Sequence, residues 1–185
     1  QMGMLRGRVQ RMEALINGIL EYSRVGRVAV DIELVDVADL IQETIELLSP
    51  PKNYTITIGE NMPTILAARV RLSQVFANLL SNCIKYINRP DGKIDITVVA
   101  TDSYYEFSVK DNGPGIPKEY HERVFKIFQT LNARDKMEST GVGLTLVKKI
   151  IEEQSGEISI ESEENDGACF VFTWPKSPLL VNVSA

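Results

Sequence analysis

From Arg69 to Ile87 the chain reads RVRLSQVFANLLSNCIKYI. On a helical wheel at ~100° per residue, Leu72, Phe76, Leu79, Leu80, Cys83, Ile84 and Ile87 fall in one half. Arg71, Gln74, Asn78, Asn82 and Lys85 form a narrow stripe on the other half, with Tyr86 at its border. The spacing predicts a long helix with a core face and a polar row. Asparagine is a mediocre helix former, and two of them at i and i+4 stack on one face. Two readings fit the row: a solvated helix face, or amide oxygens and an ammonium gathered for a ligand. Neutral amide oxygens suit Mg²⁺ already chelated by phosphates, since this metal takes few protein ligands. Lys85, one turn on, suits a phosphate as a point charge.

Downstream, Asp91-Gly92 marks a turn. Ile94, Ile96 and Val98 alternate, and so do Tyr105, Phe107 and Val109, which predicts a hairpin around Asp102 and Ser103. The period of two carries the inward row of the second strand on to Asp111, just before Asn112-Gly113-Pro114-Gly115. A carboxylate on a covered face needs donors. A backbone N–H of its own turn is one source. A ligand N–H is the other, and the exocyclic amine of adenine, which guanine lacks there, is such a donor. The glycines let backbone approach a flat ring closely.

Between Gly113 and Thr140 no sustained period appears beyond a short helix near Lys118 to Phe125. A loop of this length is usually functional. Phe125 and Phe128 fit anchors for a lid, with Arg134 and Lys136 placed to reach phosphates. Thr140-Gly141-Val142-Gly143-Leu144 then opens a helix running to about Gln154. Free N–H groups and the dipole at a helix N-terminus attract anions. This turn lacks the Gly-Lys-Ser/Thr of a P-loop, and Leu146 replaces the third glycine of a dinucleotide fingerprint. Ile158 and Ile160, then Phe170, Phe172 and Trp174, predict a closing hairpin around Asp166-Gly167.

Upstream, Asp36 is placed to cap a helix with Val37, Leu40, Ile41, Thr44 and Leu48 inside, stopped by Pro50 and Pro51. Short strands are expected at Glu33 to Val35, Tyr54 to Ile58 and Thr64 to Leu66. Leu5, Val9, Met12, Ile16 and Ile19 make a heptad seam, widened by Leu15 and Leu20 and stopped at Gly26. Such a helix seeks partner helices or lies on its own domain. The expected fold class is α+β: a two-layer sandwich, one mixed sheet covered on one face by helices, preceded by an isolated N-terminal helix.

Composition agrees with an ordinary globular domain: 185 residues, 44% hydrophobic and 24% charged. A net charge of -5 argues against nucleic acid as a partner. Two cysteines and one histidine exclude a four-ligand zinc site and a disulfide framework. No apolar run approaches a membrane span. The first residue is Gln1, and the expectation is a fragment of a longer protein.

The order of these pieces resembles the four ATP-binding boxes of the sensor histidine kinase catalytic domain, a Bergerat-type ATPase fold. QVFANLLSNCIKY (74–86) is similar to the asparagine box, and DNGPG (111–115) to the first glycine box. Phe125 to Phe128 resembles the phenylalanine box, and TGVGLTL (140–146) the second glycine box. RMEALINGILEYSRVGR (11–27) resembles the second helix of the family's dimerisation and phosphoacceptor hairpin.

The resemblance implies ATP and Mg²⁺ as cofactors. Asn82, helped by Asn78, would hold Mg²⁺; Lys85 would contact phosphate or ribose; Tyr86 would lie along the adenine. Asp111 would accept from the adenine amine, with Gly113, Gly115 and Ile116 shaping the pocket. Thr140, Gly141, Gly143 and Leu144 would bind phosphates. Thr145 stands where many members have a further glycine, Cys83 where alanine is frequent, and Thr130 where a lid arginine is often found, which passes phosphate duty to Arg134 or Lys136. The implied division is 1–26 as part of the hairpin, 27–176 as the catalytic domain and 177–185 as a tail. The γ-phosphoryl group would go to a histidine outside the chain, on the phosphoacceptor helix of the same or a partner chain. A response regulator, a homodimer of the full-length protein and a cytoplasmic location follow from the same likeness. The alternative is an ATP-binding clamp or interaction module of the same superfamily.

Overall fold

The computed structural model describes residues 2–126 and 141–177, leaving aside the side chains of residues 2–8 and 11. Phe128, Thr130, Arg134, Lys136 and Thr140 lie outside the described residues, as do residues 178–185 and the side chain of Leu5. In chain order the elements are α1 (Met2–Arg24), β1 (Glu33–Asp36), α2 (Val37–Leu48), β2 (Thr55–Ile58), β3 (Thr64–Ala67) and α3 (Arg69–Tyr86). The strands β4 (Lys93–Ala100) and β5 (Tyr104–Asp111) follow, then α4 (Gly143–Glu153), β6 (Ile158–Ser162) and β7 (Ala168–Pro175). The short helix expected near Lys118 is two 3-10 turns, Lys118–Tyr120 and Arg123–Phe125.

Five strands form a mixed sheet in the order β2-β4-β5-β7-β6. Only β2 and β4 run parallel, so the chain between them must cross over, and it does so through β3 and α3. The strands expected at residues 33 and 64 leave this sheet and pair with each other as a separate antiparallel ribbon, Glu33 opposite Ala67. Val35, Ile65 and Ala67 bury the ribbon's inner face. Asp36 caps α2 by accepting from the Asp39 N–H at 3.1 Å.

Aromatic packing sets how α3 lies on the sheet. Phe107 of β5 and Phe172 of β7 are cross-strand partners, stacked with centroids 5.2 Å apart. Phe76 of α3 drives its ring edge into both, at 5.6 Å from each. This is the edge-to-face geometry aromatic quadrupoles favour. No side chain caps the N-terminus of α3 at Ala68, so burial of Leu72, Val75, Phe76, Leu79, Leu80 and Cys83 carries the helix.

The N-terminal helix does not stand alone. Its last two turns dock on α3 and α4, with Gly18 against Val142, Tyr22 under Lys149 and Val25 buried. Its seam stays outside: Val9, Met12, Ile16 and Ile19 are exposed.

Phe76→Ala should remove the contact between the layers and cost about 3–5 kcal/mol. Urea unfolding followed by Trp174 fluorescence measures it, and a loss below about 1 kcal/mol would show that the layers do not depend on this ring.

Candidate functional site

The polar row of α3 divides into two parts. At its start, Arg71 is buried and donates to the Gln74 side chain at 3.2 Å and to the Arg24 carbonyl of α1 at 3.3 Å. Gln74 donates to the Glu21 carboxylate of α1 at 2.8 Å. These two residues hold α1 on the body, so this part of the row is neither solvated nor turned to a ligand. Lys149 of α4 adds a hydrogen bond to the Tyr22 carbonyl at 2.8 Å. Nothing in the local sequence of Arg71 pointed to a partner 47 residues earlier.

The second part faces the start of α4. Asn78 donates to the Gln74 carbonyl one turn back at 2.8 Å, which directs Oδ1 outward. A Cβ at Gly143, the first residue of α4, would stand 2.7 Å from that oxygen. A side chain there would have to displace the Asn78 amide, so glycine lets the helix N-terminus close on the amide row as it stands. Gly141 before it has φ +66°, a backbone that side chains rarely adopt. Asn82 is half-buried one turn past Asn78, and Lys85 is exposed with its ammonium 5.3 Å from the Tyr86 ring centre. Leu144 is half-buried against the core. Phe125 packs on the body with the Lys148 ammonium 5.8 Å from its ring, so the segment after Gly115 is pinned at this end.

Asp111 is buried at the end of β5. Its Oδ1 accepts from the Gly113 N–H at 2.8 Å and from the Ala168 N–H of β7 at 3.2 Å. The local backbone donor is thus present. The buried Cys83 thiol of α3 lies near enough to act on this carboxyl. Burial pushes the Asp111 carboxyl above the ordinary carboxylate range, and the N–H groups of Gly113 and Ala168 and the thiol pull back only part of that shift.

The glycines around Asp111 answer first to neighbouring backbone. A Cβ at Gly113 would stand 2.9 Å from Asp111 Oδ1 and in ordinary contact, 3.5 Å, with Tyr86 O and Ile87 Cα, so the tight approach is to the carboxylate while the loop lies against the end of α3. Gly115, at φ +76°, is closed on by the Glu163 carbonyl, and Gly167 by the Asp111 carbonyl. Ile116 donates its N–H to Ser162 Oγ at 2.8 Å, and Ser162 donates to the Gly167 carbonyl at 2.6 Å. His121 bonds through Nε2 to the Ile116 carbonyl at 2.7 Å.

Asn78, Gly143, Asp111, Gly113 and Tyr86 therefore meet around one helix, α3. Arg134, Lys136 and Thr140 lie outside the described residues.

Asp111→Asn keeps an acceptor for the two N–H groups and removes a buried charge. The native state holds the Asp111 proton more tightly than the unfolded chain does. The carboxylate therefore costs stability as pH rises from below the ordinary range through the raised native value. Without nucleotide, the variant should melt a few degrees above the parent at neutral pH, and the gap should close on acidification. A thermal-melt series over pH measures this, and a parent that melts above the variant at neutral pH would contradict it.

Comparison with known proteins agrees with this geometry. The pattern of the histidine kinase-, DNA gyrase B-, and HSP90-like ATPase family matches residues 67–178. Phytochrome-like protein Cph1 of Synechocystis is 36% identical over 170 residues, 90% of this chain and 23% of that protein. The chain spans less than a quarter of the length of the phytochromes it matches. Full-length ShkA, solved in complex with AMPPNP, superposes with a TM-score of 0.75 at 27% identity, over 89% of this chain and 36% of that one. Histidine kinase ThkA, solved in complex with the response regulator protein TrrA, gives 0.70 at 28% identity, over 92% of this chain and 49% of that one. With the amide row, the buried aspartate and the glycine-opened helix arranged on this fold, the chain belongs to the histidine kinase-, DNA gyrase B- and HSP90-like ATPase family.

Proposed function

We propose that this chain is the ATP-binding catalytic part of a sensor histidine kinase in two-component signalling, carrying one helix of its dimerisation hairpin. The observation that carries the reading is the convergence on α3. Asn78 Oδ1 faces the N-terminus of α4 at one point, and the glycine loop of Asp111 lies against Tyr86 at the other. ATP spans these points, with adenine between Asp111 and Tyr86 and phosphates at Gly141, Gly143 and Leu144. Thr140 would join these phosphate contacts, and Arg134 or Lys136 would add a cation to them; all three lie outside the described residues.

Among the described residues, no three His, Cys, Asp or Glu side chains gather to hold a metal. The amide oxygens of Asn82 and Asn78 are neutral, which fits Mg²⁺ that arrives on the phosphates rather than a protein-caged ion. The ion would neutralise phosphate charge during transfer. Asn82 and Asn78 position it, Lys85 adds a point charge near phosphate or ribose, and Asp111 orients the base by accepting from its amine. Gly113 and Gly115 would shape the pocket around that carboxylate, with Ile116 packing nearby.

The acceptor is a histidine on a bundle helix of the same or a partner chain. His121 does not suit the role, because its Nε2 is spent on the Ile116 carbonyl. Residues 1–26 belong to the hairpin, 27–176 to the catalytic unit and 177–185 to a tail. The exposed seam of α1 favours a homodimer in the full-length protein, and ThkA was solved with a response regulator, which favours one as downstream partner. No described helix is long and apolar enough to cross a membrane. ATP as donor places the work in the cytoplasm.

Asn82→Ala should weaken Mg²⁺-dependent ATP binding on the order of 10- to 100-fold, as expected for loss of a charge-assisted contact. Calorimetric titration with and without Mg²⁺ reads it, and parent-like affinity would remove Asn82 from the site. With γ-labelled ATP and Mg²⁺, the chain alone should take up no label, and adding the helix that carries the acceptor histidine should restore it. Acid-labile, alkali-stable phosphate on His121 would overturn the assignment.

A further inference from the structure

We infer that Asn112 is a positioning residue for base recognition: its side-chain amide takes over the last rung of the β4–β5 ladder, which frees its own backbone to leave the sheet and present the Gly113 N–H to Asp111. The inference rests on the reading of Asp111 as the acceptor of the nucleobase amine.

The pairing of β4 with β5 runs regularly from Ala100 opposite Tyr105 to Ile94 opposite Asp111. One rung further, the Asn112 N–H donates to the Lys93 carbonyl at 3.2 Å. In a regular antiparallel pair the return bond would run from the Lys93 N–H to the Asn112 carbonyl. It runs instead to the side chain: Asn112 Oδ1 accepts from the Lys93 N–H at 2.7 Å. The other end of the amide, Nδ2, donates to the Asp91 carbonyl at 2.9 Å, so both ends of the amide are held. The displaced Asn112 carbonyl accepts from the Arg89 guanidinium at 3.2 Å.

The turn that holds the amide is itself held. Arg89 donates to both oxygens of the Asp91 carboxylate, at 2.6 and 2.8 Å. The Gly92 carbonyl accepts from the Thr55 N–H of β2 at 2.8 Å, and a Cβ at Gly92 would stand 2.7 Å from the Tyr54 ring. What the amide directs is the next residue, whose N–H donates to Asp111 Oδ1 at 2.8 Å. Arg89 follows Tyr86 by three residues, so its bond to Asn112 ties the aspartate side of the base site to the tyrosine side. Asparagine fits the rung because it carries an acceptor and a donor on one short stem. Aspartate would still accept from Lys93 but would turn a second oxygen on the Asp91 carbonyl. Alanine would supply neither bond.

The test titrates the whole chain, in the presence of Mg²⁺, with two probes: ATP, and purine riboside triphosphate, which lacks the amine. Asn112→Ala should lower the ATP preference over the second probe about fivefold, the size of one neutral hydrogen bond. Asn112→Asp should recover part of that preference, and Arg89→Gln, at an exposed position, should lower it by less than Asn112→Ala does. An unfolded fraction weakens both probes alike and leaves their ratio unchanged, so the ratio reports placement of the carboxylate rather than stability. If Asn112→Ala keeps the parent ratio, Asn112 only closes the strand end and the inference falls. Where Asn112→Ala yields no folded chain, Asn112→Asp and Arg89→Gln carry the comparison, and parent ratios in both overturn it. If the parent itself binds the two probes equally, the reading of Asp111 falls and takes this inference with it.

Discussion

A buried carboxylate has to be satisfied, and at Asp111 that requirement ties its own glycine loop to a strand 57 residues later. Its Oδ1 joins the end of β5 to the glycine loop and to the start of β7. The backbone then has no room for side chains: Gly167 meets the Asp111 carbonyl and Gly115 meets the Glu163 carbonyl. Ser162 and Ile116 lace the same loop to the β6–β7 turn. The loop that approaches the end of α3 is thus held by strand backbone before any ligand arrives. Such preorganisation is what a site needs if binding is not to be spent on ordering it. The raised carboxyl of Asp111 is the cost the apo protein bears for this arrangement.

The second constraint is geometric and belongs to α3. One face must reach the stacked Phe107 and Phe172 through Phe76. That fixes the rotation of the helix and so fixes where its polar row points. The row then serves two neighbours. Arg71 and Gln74 meet α1, while Asn78 meets the first residue of α4. A helix rotated by one residue, about 100°, would bury the asparagines and lose both contacts.

The parts legible in the sequence are those set by local period and local capping. The alternation at Ile94 to Val109 gave the hairpin and its inward row because pleating leaves no choice of face. Asp36 announced α2 because a cap acts over three residues. The ribbon of β1 and β3 was legible as strands but not as a separate sheet, since pairing is decided by which edges meet in space. The role of Arg71 was not legible. Its wheel position in the polar row was correct, but its partner, Arg24, lies in a distant segment. A single-residue pattern carries no record of such pairings.

The same limit explains α1. Its period of 3.6 lays two faces along one helix. Leu15, Gly18, Tyr22 and Val25 turn toward the body, where Gly18 lets Val142 approach and Lys149 covers the Tyr22 ring at 4.1 Å. Val9, Met12, Ile16 and Ile19 turn away, their seam uncovered. Partner helices and docking on the body were alternatives when the helix was read by itself. On the folded chain they occupy opposite sides and are compatible. A bundle can form along the outer seam while the inner face keeps its hold on α3 and α4. Gly18 rests against Val142, the residue just before the α4 N-terminus, so α1 touches the element proposed to bind phosphate as well as the helix that carries the amide row.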